Sequence, residues 1–150
     1  VNFPAFEVIG REGRDLGKGW RENRFCAYEG VSVPLFPNFL ILASPYSYSG
    51  LSYFTTIEYQ MTHMARLFSE LKRRNAATFE VGEAANDRFL DRMTSLLGDS
   101  VFYNGSCSTA RSYYFNHKGE AAILRPTSTI NTRREAKRFP LSDYDFAKAG

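Results

Sequence analysis

Apolar residues recur with helical spacing in two long segments of the chain. In the first, five apolar side chains follow one another at steps of three and four residues: Ile57, Met61, Met64, Phe68 and Leu71. In the second, from about Glu83 to Leu97, the apolar side is formed by Ala85, Phe89, Met93 and Leu96. This spacing predicts two amphipathic helices that each turn one apolar face to a core. Ser52 or Thr55 can cap the start of the first helix.

The remaining pattern predicts short strands and irregular structure. The longest unbroken apolar run, residues 39–43, follows Pro37-Asn38 and ends at Ser44-Pro45, as expected of a strand buried on both faces. A second short strand is predicted at residues 78–81, and a brief helix over 132–138. The sequence therefore predicts an α+β fold with one or two sheet strands, two main helices and an irregular C-terminal cap.

Composition and charge narrow the possible partners. The net charge is +3, and the basic residues are scattered apart from short clusters at 72–74 and 133–138. No apolar run is long enough to cross a bilayer, so neither a nucleic acid nor a membrane is an expected partner. Two cysteines and two histidines stand far apart, which predicts no metal site and reduced thiols in a cytoplasmic protein. The start at Val1, without a signal-like segment, favours a fragment.

The chemistry that can be named from spacing alone is incomplete. A dinucleotide site needs G-x-G-x-x-G between a strand and a helix, and Gly17-Lys18-Gly19 is followed by Glu22 where the third glycine belongs. No catalytic residue is assigned. One feature points to a ligand: a small-residue loop leads from Ser44-Pro45 to the predicted helix near Ser52, and helix N-termini beyond a strand bind anionic or electron-rich groups. An ordinary strand–loop–helix connection explains the same pattern.

Several stretches, in order, resemble flavin-containing and Baeyer–Villiger monooxygenases. They are Tyr28-Glu29-Gly30 leading to Phe36-Pro37-Asn38-Phe39, then Ala43-Ser44-Pro45, Ile57-Glu58-Tyr59-Gln60, Gly105-Ser106-Cys107, and the closing Lys137-Arg138-Phe139 with Asp143-Tyr144-Asp145-Phe146. The chain is thus identified as similar to the C-terminal portion of a class B monooxygenase. The resemblance covers nearly the whole chain, and its order and spacing are more specific than any single motif.

The resemblance implies part of an FAD/NAD(P)-binding α/β flavoprotein. Residues 1–76 would be the end of the FAD-binding domain, with its final strand and flavin-facing helix, and residues 77–150 a C-terminal cap packed on it. The full-length enzyme would use FAD and NADPH to insert one oxygen atom from O2 into a ketone, thioether or amine. The glycine fingerprints of the family lie upstream of Val1, so this chain alone is expected to bind no cofactor and not to be catalytic.

The resemblance also names the residues nearest the flavin ring: Ser49, Gly50, Leu51, Ser52 and Tyr53. Two positions depart from the family pattern, because Ser44 and Leu35 stand where the family often has glycine. Close backbone approach at those two positions is therefore an open question.

The expected partners are the upstream FAD- and NADPH-binding domains of the same polypeptide and a small organic substrate. The predicted strand at 39–43 has no obvious sheet neighbour, so self-association of the fragment is also expected. The alternative interpretation is a non-catalytic association module that uses its apolar helix stripe and aromatic tail.

Overall fold

A computed structural model describes residues 4–50, 52–100, 102–104, 114–116 and 118–148 of the chain. Within these ranges it contains four α-helices and two strands. They are α1 (Leu16–Glu22), α2 (Tyr53–Arg73), β1 (Thr78–Val81), α3 (Glu83–Gly98), α4 (Thr129–Arg138) and β2 (Tyr144–Ala147), with 3-10 turns at Arg11–Gly13 and Leu141–Asp143. The predicted α+β class and the two main helices are confirmed.

The two strands form an antiparallel ribbon that closes the C-terminal part of the chain onto its middle. Phe79 pairs with Phe146 and Val81 with Tyr144. Phe79, Val81 and Tyr144 are buried, so one face of the ribbon belongs to the core. Strand β1 agrees with the sequence prediction. Strand β2 lies in the aromatic tail, where no strand was predicted.

The predicted strand at residues 39–43 is wrong. This segment has only an isolated bridge between Leu40 and Ser32, and Leu42 is 44% exposed. Asn38 and Ala43 adopt positive φ angles of 58° and 50°, which interrupt an extended backbone at both ends of the run. No strand in the described part of the chain lies beside it. An apolar segment forms a sheet strand only beside another strand, and residues 39–43 have none among the described residues.

Helix α2 buries a different face from the predicted one. Met61 and Phe68 are 53% and 52% exposed, and of the predicted stripe only Met64 is fully buried. The buried side is offset by about one residue, and most of its members are polar: Thr56, Gln60, His63, Met64, Leu67 and Glu70. An apolar stripe therefore stays on the surface, and the inward side chains need hydrogen-bond partners.

Helix α1 forms over residues for which the apolar pattern predicted no helix. Asp15 caps the helix by accepting a hydrogen bond from the Lys18 amide at 2.7 Å. Leu16 and Trp20 are one turn apart and both buried. Their packing outweighs the low helix propensity of the two glycines in this segment.

Candidate functional site

The loop before helix α2 is held by backbone hydrogen bonds to a distant segment. The Tyr46 amide donates to the Ala122 carbonyl at 2.7 Å, and the Tyr48 amide donates to the Ile123 carbonyl at 3.1 Å. The Arg125 amide in turn donates to the Tyr48 carbonyl at 2.8 Å. Residues 121–125 thus act as a clamp on residues 44–48, and we call this pairing the loop clamp. It fixes the backbone that leads into the candidate site.

The five predicted site residues follow the loop clamp directly. Ser49 is half-buried and Gly50 is exposed, while Leu51 lies outside the described residues. Gly50 has φ +90°, and a Cβ atom built there would meet nothing within 4 Å. Glycine is therefore required for the turn itself, and no atom of the described residues lies directly in front of its backbone.

Ser52 and Tyr53 form the start of helix α2. Ser52 is the N-cap, and its Oγ accepts a hydrogen bond from the Phe54 amide at 3.2 Å. Tyr53 is 47% exposed and stacks on the Tyr48 ring, with centroids 4.9 Å apart. The structure therefore brings together the N-terminus of helix α2, a glycine turn and an aromatic pair, and no described side chain caps the helix end other than Ser52.

The structure accommodates Leu35 and Ser44, the two departures from the family pattern, in different ways. Leu35 adopts φ +70°, in the left-handed region where glycine carries no steric cost. Ser44 instead uses its side chain: Ser44 Oγ is buried and donates to the Gly30 carbonyl at 2.5 Å. A serine is thus accommodated where close approach was in question.

A buried ion network lies behind the loop clamp. The Arg125 side chain is 2% exposed and donates to Glu29 at 2.5 Å and to Glu135 at 2.6 Å. Arg92 also contacts Glu135. Burial raises the pKa of Glu135, but hydrogen bonds from Arg125 and Arg92 outweigh it and hold that pKa below its usual value. The network joins the turn at Glu29, the clamp and helix α4.

His63 lies in the core between helix α2 and the C-terminal segment. Its Nε2 is 2.8 Å from the Tyr144 hydroxyl, and its ring stacks on Phe139 with centroids 3.6 Å apart. Burial first, and then the positive charges of Arg125 and Arg66, lowers the pKa of His63 to about 3. The imidazole is therefore neutral near pH 7.

Arg125, Glu29 and Tyr144 were not singled out for a role in advance. The signal that could have found Arg125 is its position directly after the apolar run 121–124, since an arginine beside a core segment needs acidic partners. Their partners are distant in sequence, so spacing could not name them.

The described residues form neither a metal site nor a membrane span. No group of three His, Cys, Asp or Glu side chains is arranged to hold a metal ion. No helix in the described ranges combines the length and apolarity that crossing a membrane requires.

Comparison with known proteins supports the motif-based resemblance. The chain is 30% identical over 144 residues to a Baeyer–Villiger monooxygenase of Pseudomonas aeruginosa, which covers 95% of this chain and 27% of that protein. It is 28% identical over 142 residues to a Baeyer–Villiger monooxygenase of Streptomyces coelicolor, again 27% of that protein. The chain thus spans about a quarter of the length of these relatives. No family profile matches it.

Solved structures give the same result for the fold. A steroid monooxygenase bound to NADP superposes with a TM-score of 0.77 at 22% identity, over 95% of this chain and 26% of that one. A cyclohexanone monooxygenase from Rhodococcus sp. Phi1 bound to NADP+ superposes with a TM-score of 0.75 at 18% identity, over 96% of this chain and 27% of that one. The backbone arrangement described above is therefore the one found in part of these two monooxygenases.

Proposed function

Because nearly all of this chain resembles about a quarter of several Baeyer–Villiger monooxygenases, we propose that it is the C-terminal part of an FAD-dependent, NADPH-using monooxygenase. The proposed reaction inserts one oxygen atom from O2 into a ketone, thioether or amine. We assign residues 1–76 to the end of the FAD-binding domain and residues 77–150 to a cap region packed on it. The rest of the cofactor-binding machinery would lie in the upstream domains, so the isolated chain is proposed to be inactive and free of cofactor.

This proposal rests on the position of the N-terminus of helix α2 in a chain that is similar to these monooxygenases. The first amides of a helix have no partner within the helix, and they carry partial positive charge. Ser52 and Tyr53 open helix α2 next to the open turn at Gly50. When bound, FAD would supply the redox chemistry. The amides of this helix start would stabilise negative charge on the edge of its ring, by about 0.3–1 kcal/mol at an exposed position.

The chain's own residues would then hold and shape the site rather than react. Ser49, Gly50, Leu51, Ser52 and Tyr53 are proposed to lie against the flavin ring. Gly50 would allow a flat group to approach the backbone, because no side chain projects there.

A charge placed at the N-cap tests this assignment. We expect Ser52→Asp in the natural FAD-loaded polypeptide to lower the flavin reduction potential, because a carboxylate there opposes added negative charge on the ring. Two unit charges 4 Å apart interact by about 1 kcal/mol in water, and by more where water is excluded. The measurement is the flavin midpoint potential.

Ser52→Asn is the matched control for this change. Aspartate and asparagine cap helices about as well as serine does, so both variants should keep helix α2 intact. Only the charged variant should shift the potential, and NADPH binding should be unchanged in both. Equal flavin midpoint potentials in the two variants would show that Ser49–Tyr53 do not lie beside the flavin.

The upstream domains are proposed to cover the exposed stripe of helix α2. Phe54 is 81% exposed, and Met61 and Phe68 follow it on the same face, each about half exposed. A run of large apolar side chains on one helix face is typical of an interface. The same observation favours the second candidate, a non-catalytic association module, in which a second copy of the chain would cover the stripe.

The two candidate functions predict different effects of placing a charge on the exposed stripe of helix α2. If the stripe meets upstream domains, the isolated chain should self-associate, and Met61→Lys should reduce its mass in light scattering. The same change in the natural polypeptide should weaken FAD retention. Ser69→Lys, an exposed position of the same helix off the stripe, is the control. A Met61→Lys polypeptide that keeps its FAD but loses an oligomeric state would favour the association module.

A further inference from the structure

A surface pocket lies between helix α1, residues 33–36 and the first turns of helix α3. Its volume is about 310 Å³, and its lining includes Trp20 and the apolar segment 33–36. Pockets that bind small molecules have volumes of roughly 300–1,000 Å³, with apolar walls and a few placed polar groups. None of the five predicted site residues is among the described residues that line this pocket. It is therefore a second candidate site, of a size that suits a small ligand.

The pocket wall includes a buried amide with an unused acceptor. Asn86 is 4% exposed, and its Oδ1 has no hydrogen-bond partner among the described residues. Its Nδ2 donates to Cys26 Sγ at 3.6 Å, and both residues line the pocket, so the amide lies at the pocket wall. Buried side-chain polar atoms are nearly always bonded, and an amide oxygen can only accept. The pocket therefore favours a ligand that presents an N–H or O–H group to Asn86.

Carboxylates are in excess around this pocket. Five charged side chains line it: Asp15, Glu83, Asp87, Arg14 and Arg24. The Arg24 guanidinium is paired with Glu120 at 3.0 Å, which leaves three carboxylates against one other guanidinium. Opposite charges attract, so the lining favours a ligand that carries a positive charge.

Two of these carboxylates lie on the same face of helix α3 as the Asn86 amide. Glu83, Asn86 and Asp87 follow the spacing i, i+3, i+4, and residues three or four apart on a helix have Cβ atoms about 5–6 Å apart. Glu83 and Asp87 are exposed while Asn86 is buried, so the carboxylates lie nearer to solvent than the amide. This spacing brings one hydrogen-bond acceptor and two negative charges to one place in the lining.

We propose that this pocket binds a primary ammonium group on a short apolar stem. The ammonium donates to Asn86 Oδ1 and lies beside the carboxylates of Glu83 and Asp87. The stem packs against Trp20 and residues 33–36. A free small amine and a lysine side chain from another part of the same polypeptide share this chemistry. This inference goes beyond the proposed function and does not depend on the flavin chemistry.

Titration calorimetry with n-butylamine, on the natural polypeptide that carries this chain, tests the proposal. At pH 7 we expect n-butylamine to bind more tightly than butan-1-ol, which has the same stem without the charge. Asp87→Asn should weaken the binding of n-butylamine about fivefold, the factor that two unit charges 4 Å apart give in water. Asp91→Asn is the control, because Asp91 lies one turn further along helix α3 and is not among the lining residues. It should leave the affinity unchanged.

A crystal structure of the same polypeptide distinguishes the two sources of the ammonium group. If a lysine of another segment bonds Asn86 Oδ1, the proposal holds with the polypeptide as its own ligand, and n-butylamine should bind only after that lysine is replaced by alanine. Binding of n-butylamine no tighter than that of butan-1-ol, with no lysine in the pocket, would overturn the proposal. The comparison of the two probes uses the wild-type protein, so it is decisive even if the Asp87→Asn protein fails to fold.

Discussion

Replacing Arg125 by methionine is expected to lower the free energy of unfolding by about 3–5 kcal/mol, the usual cost of removing one partner from a buried ion pair. The guanidinium is nearly inaccessible and is shared between Glu29 and Glu135. Its removal leaves the Glu29 carboxylate buried without its cation. Equilibrium unfolding in urea at pH 7 measures the loss.

The pH dependence of this loss gives a second check. Glu135 has a lowered pKa in the folded protein, so its ionised form contributes stability above its unfolded pKa, near 4.3, and that stability is lost as pH falls. In Arg125→Met, Glu135 loses one of the two hydrogen bonds that lower its pKa, so it takes up a proton more easily. The difference between the two proteins should therefore shrink as pH falls toward 4. A constant difference would contradict the ionic explanation.

A double variant distinguishes the stability lost with the ion pair from the stability lost with the packing of the Arg125 side chain. Arg125→Met with Glu29→Gln removes both the cation and its buried anion. It should recover part of the stability lost in the single variant, because a neutral amide costs less to bury than an unpaired carboxylate. If the double variant is no more stable than the single one, the loss comes from the packing of the Arg125 side chain.

Gly30→Ala is expected to lower the free energy of unfolding by about 2–5 kcal/mol. Gly30 has φ +69°, which costs about 1–2 kcal/mol for any residue with a Cβ atom. The new Cβ would also lie 2.7 Å from the Ser47 Cβ, and such overpacking costs about 1–3 kcal/mol more. Since Ser47 belongs to the loop before helix α2, FAD retention in the natural polypeptide should fall as well.

Gly13→Ala is the matched control for this change. Gly13 has φ +71°, almost the same backbone conformation, but a Cβ there would meet nothing within 4 Å. It should carry the backbone cost alone, about 1–2 kcal/mol, and leave FAD retention unchanged. Equal losses for the two glycines would show that the close approach of Gly30 to Ser47 is not required.

The parts of the fold that the sequence predicted are those fixed by local pattern. Helix α3 buries Ala85, Phe89 and Met93 as predicted, although Leu97 rather than Leu96 completes its buried side. Strand β1 lies where it was predicted, and Ser52 caps helix α2 as its position indicated. Helix α2 was predicted in extent but not in orientation. Its inward side chains include Gln60 and His63, which are buried because partners from distant segments bond them. The spacing of apolar residues along the chain gives no information about such distant partners.

The remaining errors also come from long-range pairing. Residues 39–43 have the composition of a buried strand, yet a strand needs a neighbour, and the described residues provide only a bridge at Leu40. Residues 144–147 include Asp145 and look like a tail, yet they pair with β1 and become a strand. The site residues themselves came from the family resemblance, because a helix start beside a glycine turn is too common a pattern to identify a ligand.

The loop clamp also sets an order of events during synthesis. Tyr48 leaves the ribosome long before Ile123 and Arg125, whose backbone groups hold it. At ~5–20 residues per second the 77 residues between Tyr48 and Arg125 take roughly 4–15 seconds to make. Throughout that interval the nascent chain carries the candidate site loop without its anchor. A polypeptide that stops before Ala122 lacks all three of the backbone partners that anchor this loop.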